Sequence, residues 1–182
     1  MKSRLLSLIV ACAVAVSFLG AGVPSAHAAR ASALTDAEKA ARVIATAKQY
    51  LGTPYEYGSS RLNKRTMDCS ELIYWAFLEG IGLELPKSSR TQAAYVKRIG
   101  NYKTDWRQLK PGDLMFFMSY RGSSKSAYAG INKQTQRITH VAIYLGDGRI
   151  IHTYSNKSGG VRIDRFVGTS WEYRFVGGGS AF

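Results

Sequence analysis

The chain has 182 residues, 46% hydrophobic, 12% aromatic and 20% charged, with 25 Lys+Arg against 12 Asp+Glu and a formal charge of +13. That length supports one substantial core and leaves little for a second. Ordinary apolar content and the lack of a three-residue glycine period exclude a disordered or collagen-like chain.

Lys2 and Arg4 precede an apolar run from Leu5 to Leu19, followed by Gly20, Pro24 and Ala26-His27-Ala28. These are the parts of a secretory signal peptide, with cleavage expected after Ala28. The run breaks before about 20 strongly apolar residues accumulate, which argues against a membrane anchor. Ile9-Val10-Ala11-Cys12 has the form of a lipoprotein cleavage box, but the apolar run continues past Cys12. The expectation is a leader over 1–28 and a single domain over 29–182, exported to the periplasm, cell wall or extracellular space, with no membrane-spanning segment after cleavage. Removing the leader takes away two cations, Lys2 and Arg4, and no anion, which leaves +11. A basic exported protein is drawn to anionic envelope polymers, although scattered cations also suit a plain solvated surface. No recognition motif or dense basic run points to nucleic acid.

Thr35-Asp36-Ala37-Glu38 has the form of a capping box, and Val43, Ile44, Ala47, Tyr50 and Leu51 recur behind it at helical spacing until Gly52-Thr53-Pro54. A loop with Tyr55, Tyr57 and Gly58-Ser59-Ser60 follows. A second helix starts near Asp68, carries Leu72, Ile73, Ala76 and Phe77, and is expected to end before Gly80. Ser88 or Ser89 caps a third, through Gln92, Ala93, Val96 and Ile99. Strands are expected over 114–117, 141–145, 150–154, 161–163 and 173–176, with Gly146-Asp147-Gly148 as a hairpin signal. Helices first and strands afterwards indicate α+β rather than alternating βαβ.

With the leader gone, Cys69 is the only cysteine, so no intrachain disulfide is possible. A lone thiol in an oxidising compartment invites a functional question. Cys69 falls in the first turn of its helix, facing unpaired N–H groups and the positive end of the helix dipole, both of which favour thiolate. Asp68 and Glu71 are spaced as an N-cap and its reciprocal partner. A nucleophilic thiol needs a base and the base an orienting group. Only His140 and His152 remain after cleavage, both in the expected hairpin. A two-residue loop pairing Gly146 with Arg149 would set the rings on opposite faces. A three-residue loop with Gly148 in the left-handed region would pair Ala142 with His152 and put both rings on one face.

Five blocks in order carry a family likeness: Gly52-Thr53-Pro54-Tyr55-Glu56-Tyr57-Gly58; Asp68-Cys69-Ser70; Leu85-Pro86-Lys87-Ser88-Ser89-Arg90 with Gln92; Pro111-Gly112-Asp113-Leu114-Met115-Phe116-Phe117; and His140-Val141-Ala142-Ile143-Tyr144-Leu145-Gly146-Asp147-Gly148 with Ile151-His152. From about Arg42 to Val176 the chain resembles the NlpC/P60 family of cell-wall cysteine peptidases. The resemblance implies a papain-like α+β fold, with N-terminal helices and the cysteine helix packed on an antiparallel sheet. It also implies hydrolysis of peptidoglycan stem peptides, commonly between D-γ-glutamate and the diamino acid, by a monomer without metal or cofactor. By the match Cys69 is the nucleophile, His140 the general base and acid, and His152 the group that orients it. Tyr55 is the candidate oxyanion donor beside the Cys69 N–H, or else an aromatic packed after a turn. Tyr57 lies in the matched loop as a substrate contact, and Asp68 and Ser70 would meet the free amino terminus of a trimmed stem, as in some relatives.

The chain departs from that pattern in three places. Glu71 stands where the family usually has Gly, as a cap or pointing into the cleft. Gly58-Ser59-Ser60 replaces a more usual Gly-Gly. Residues 118–139, between Phe117 and His140, form a long insertion without an acidic residue, either a basic lid or wall-binding flap or a solvated loop. Competing readings are a non-catalytic wall-binding module, a zinc site of Cys69, His140 and His152, and another papain-like amidase on the glycan–peptide link.

Overall fold

A computed structural model describes residues 34–182; the expected leader and Cys12 lie outside them. Thr35 opens helix α1 (Asp36–Gln49) with the anticipated capping box, its hydroxyl accepting from the Glu38 N–H while the Glu38 carboxylate accepts from the Thr35 N–H at 2.8 Å. Helix α2 (Cys69–Ile81) is apolar nearly all round because it is enclosed between α1 and the sheet, with Leu72, Ile73, Ala76 and Phe77 fully buried. It runs through Gly80, where the sequence suggested an end, and stops at Gly82, whose φ of 72° suits glycine. Gly80 is a contact rather than a stop: a Cβ there would lie 3.3 Å from the Arg42 carbonyl of α1. Ser88 caps helix α3 (Ser89–Arg98).

The strands β1 (Leu114–Met118), β2 (Ile138–Gly146), β3 (Arg149–His152), β4 (Arg162–Arg165) and β5 (Phe175–Gly179) form one antiparallel sheet in the order β4-β3-β2-β1-β5. Side chains alternate between its faces. Leu114, Phe116, Val141, Ile143 and Ile151 pack with the helices. Met115, Phe117, Ala142, Tyr144 and Ile150 pack on the other side with Phe166, Trp171 and Phe175. Cover on both faces explains why β1 and the middle of β2 read as unbroken apolar runs. The fold is α+β.

The expected last strand is displaced. Thr169 caps a short helix, α4 (Ser170–Arg174), so Tyr173 is helical and β5 begins at Phe175. Gly177-Gly178-Gly179 then pair with β1 where no side chain fits: a Cβ would lie 2.4 Å from the Tyr102 ring at Gly177 and 2.2 Å from the Leu114 carbonyl oxygen at Gly178. The 118–139 insertion is a largely solvent-exposed loop pinned to the fold at a few points. Tyr128 is buried with Met118 and Val176, its hydroxyl accepts from the Arg121 N–H and donates to the Gly122 carbonyl, both at 3.0 Å, and Gln134 donates to the Val176 carbonyl. Tyr120 and residues 137–139 form one wall of the cleft described below.

Candidate active site

Asp68 sets the start of α2. Its Oδ1 accepts from the Glu71 N–H at 2.9 Å, which makes Cys69 the first helical residue, and Gln92 of α3 ties the turn down by donating to the Ser70 and Pro86 carbonyls at 2.9 Å. The backbone groups of Val141, Ser70 and Cys69 favour the ionised sulfur. Glu71 does not complete the reciprocal cap. It is fully buried, accepts from Trp75 Nε1 at 3.2 Å and from the Ser59 hydroxyl, and Ser59 Oγ in turn accepts from the Asp68 N–H at 2.9 Å. The two unusual residues of the sequence, Ser59 and Glu71, are therefore partners. A carboxylate at position 71 needs a second donor, Ser59 supplies it, and the side chain turns inward rather than into the cleft.

The β2–β3 hairpin closes with a two-residue turn, Asp147-Gly148, which pairs Gly146 with Arg149 and holds both central residues at positive φ, 51° and 68°. By itself that turn would separate the histidines. A bulge between Tyr144 and Gly146 absorbs one residue, so that Tyr144 meets Ile150 and Ile143 meets Ile151. The register that the three-residue loop would have produced is reached by turn plus bulge, and both rings lie on one face. His140 Nε2 and His152 Nδ1 are 3.1 Å apart.

Behind them lies a residue the sequence reading missed. Asp164, on β4 opposite Ile150, places Oδ2 3.1 Å from His152 Nε2, while its Oδ1 accepts from Arg162 Nε at 2.7 Å. The only available signal was an acid on a strand near the second histidine, and polar alternation on an edge strand ordinarily reads as a solvent face. The carboxylate fixes the proton positions along the chain. Ionised, it only accepts, so His152 carries its proton on Nε2 and offers a lone pair at Nδ1; His140 then donates from Nε2 and keeps a bare Nδ1 as a base. The His152 and Arg162 hydrogen bonds hold the Asp164 carboxyl below its ordinary range.

Burial, with His152 and Arg174 nearby, keeps His140 well below the ordinary imidazole range. Burial also lowers His152, partly opposed by Asp164. The expected preference for thiolate is reversed in this free form: burial and then the Asp68 charge push the Cys69 thiol up to about 12, against the helix-start N–H groups that lower it. Cys69 and His140 both line a cleft of about 870 Å³.

The other expected site residues divide. Tyr55 lines the cleft, where burial first and then the nearby Cys69 and Asp68 raise its hydroxyl and keep it a donor. Tyr57 stands at the rim, 89% exposed. Asp68 and Ser70 are already engaged: Arg61 Nη2 lies 3.1 Å from Asp68 Oδ1 and 2.9 Å from Ser70 Oγ, and Ser70 donates to Asp68 at 2.8 Å. A ligand ammonium would have to displace the Arg61 guanidinium. Among the described residues, no three His, Cys, Asp or Glu side chains are grouped to hold a metal ion, and no helix is long and apolar enough to cross a membrane.

Residues 52–180 match the NlpC/P60 family. The chain is 34% identical over 137 residues to the probable endopeptidase p60 of Listeria monocytogenes, covering 75% of this chain and 23% of the relative. It is 35% identical over 118 residues to the bifunctional muramidase/DL-endopeptidase CwlT of Bacillus subtilis, covering 64% of this chain and 29% of that protein. It thus spans under a third of the length of these curated relatives. The solved NlpC/P60 domain of the peptidoglycan hydrolase SagA superposes with a TM-score of 0.55 at 26% identity, over 78% of this chain and 97% of that one. With the ordered motifs, the α+β architecture and this match over most of its length, the chain belongs to the NlpC/P60 family.

Proposed function

We propose that this protein is an exported peptidoglycan hydrolase that cleaves stem-peptide amide bonds, between D-γ-glutamate and the diamino acid, with Cys69 as nucleophile. The observation that carries the reading is the convergence on one cleft of a helix-start thiol and an imidazole whose far nitrogen is held by His152 and, through it, Asp164. The choice of bond follows the DL-endopeptidase relative, and export follows the leader-like N-terminus.

His140 Nδ1 takes the Cys69 proton as sulfur attacks the amide carbonyl carbon. His152 and Asp164 meet the imidazolium that this transfer creates. The Cys69 N–H and the Tyr55 hydroxyl receive the oxyanion. His140 returns its proton to the departing nitrogen, the C–N bond breaks, and a thioester remains. Water then loses a proton to His140 Nδ1, attacks the thioester carbon and expels sulfur, which recovers the proton. Proton exchange of this kind contributes about 10²–10⁴-fold.

The test is turnover of the tripeptide L-Ala-γ-D-Glu-meso-diaminopimelate by mature wild-type protein, Cys69→Ala and His140→Ala, with thermal unfolding to confirm that each is folded. Cleavage by wild type alone is expected. Equal cleavage by folded Cys69→Ala ends the proposal.

A further inference from the structure

The cleft holds an uneven set of charges. Arg61, Lys87, Arg90, Arg137 and Arg174 line it, against one acid, Asp68, which Arg61 occupies. Of these cations Arg174 is the most constrained. It is more than nine-tenths buried, its Nε donates to the Met118 carbonyl at 2.9 Å, and its guanidinium carbon lies 4.3 Å from the Trp171 ring centroid. The Tyr120 ring of the insertion lies 5.9 Å from the same guanidinium. Among the described residues the terminal nitrogens have no hydrogen-bond partner and the side chain no acidic one, so a forked pair of donors stands at the cleft wall with no protein group to receive it. Most of the side chain is withdrawn from water while the terminal nitrogens stay open to the cleft, a setting in which an anion is attracted more strongly than at a fully solvated cation. A planar, two-oxygen anion is the partner that geometry suits.

Trp171 fixes where that partner would sit. The same ring lies 4.9 Å from the His140 ring, so Arg174 borders the imidazole that hands a proton to the departing nitrogen. Tyr55, Arg61 and Ser70 line the same cleft around the start of α2.

We propose that Arg174 is a carboxylate-binding specificity residue for the leaving half of the substrate, gripping a free carboxylate of the residue whose amine departs. The proposal rests on the hydrolase reading above and deepens it: the enzyme discriminates diamino acid residues with free carboxylates from those whose carboxyl groups are amides. It also gives the 118–139 insertion a part, since Tyr120 stands beside the guanidinium at the cleft.

The experiment uses two peptides, L-Ala-γ-D-Glu-meso-diaminopimelate with the diamino acid carboxylates free and the same peptide with both as primary amides. A charge-assisted bidentate contact corresponds to a preference of about 10–100-fold in kcat/KM for the free acid, expressed mainly in KM. In Arg174→Gln the ratio between the two peptides falls to near one. Because Arg174 also bonds Met118, thermal unfolding accompanies each variant. Should Arg174→Gln not fold, Arg174→Lys, which keeps the charge and loses the fork, decides: a reduced preference supports the site and an undiminished one overturns it. Equal cleavage of both peptides by wild type, or a full preference in folded Arg174→Gln, also overturns it. Failure of wild type to cleave either peptide overturns the hydrolase reading instead.

Discussion

Asp164→Asn isolates the far end of the histidine chain with little change of shape. Asp164 accepts from two donors at once, Arg162 Nε at 2.7 Å and His152 Nε2 at 3.1 Å. An asparagine carries one carbonyl oxygen and one NH2 group, so one of those donors loses its acceptor. If the shorter Arg162 contact keeps the oxygen, the amide NH2 faces His152 and favours the tautomer with its proton on Nδ1. His152 then donates into His140 Nε2, and the His140 proton moves to Nδ1, the atom that must be bare to accept from Cys69. A hydrogen bond to a charged group contributes about 1.5–3 kcal/mol, and each 1.4 kcal/mol is tenfold in rate, so kcat should fall by about 10–100-fold. KM should hardly move, because Asp164 is outside the cleft lining. Steady-state kinetics on the tripeptide reads both constants, and ¹⁵N shifts of the imidazoles read the tautomers. A folded Asp164→Asn within twofold of wild-type kcat, with unchanged tautomers, would refute the relay.

Three further outcomes follow from the same geometry. With the thiol pushed up to about 12, iodoacetamide should modify Cys69 in the free protein at a rate still rising at pH 9.5; a plateau beginning below pH 7 would mean a preformed thiolate–imidazolium pair. Ser59→Ala strips a partner from both the buried Glu71 carboxylate and the Asp68 N–H, and should cost about 1–3 kcal/mol and several degrees in Tm; an unchanged Tm would contradict the pairing. His140 and His152 are held below the ordinary imidazole range, so the unfolded chain binds protons more readily. Their contribution is complete above about pH 6.5 and is lost as pH falls through the window below it. Urea midpoints should therefore drop between pH 7 and pH 5, with a shallower slope in His140→Gln; equal slopes would show that the ring is not buried in the neutral form.

Much of the site was legible because its geometry is local. A cap one residue before Cys69 defines the helix start, and two histidines 12 positions apart in a hairpin have only two possible facings. The register came out as the one-face alternative, by a bulge that sequence does not announce, since a bulge depends on how β2 meets its neighbours. Asp164 and Arg174 were not legible because their roles come from tertiary placement: one is an acid on an edge strand, the other a cation in a helix of five residues inserted ahead of a glycine-rich strand. The Ser59–Glu71 pair shows a related limit. Each looked like an isolated departure from a family pattern, and only their burial side by side shows that each requires the other. The thiol's ionisation went against the local signal because burial outweighs a helix start.

The central claim, a Cys69-dependent cut in the stem peptide, is tested most directly by mass spectrometry of peptidoglycan digested with mature wild-type protein beside Cys69→Ala. The account predicts fragments that end in D-glutamate and complementary fragments that begin with the free amine of the diamino acid, from wild type only. Intact stems after wild-type treatment, or the same fragments from folded Cys69→Ala, would contradict it.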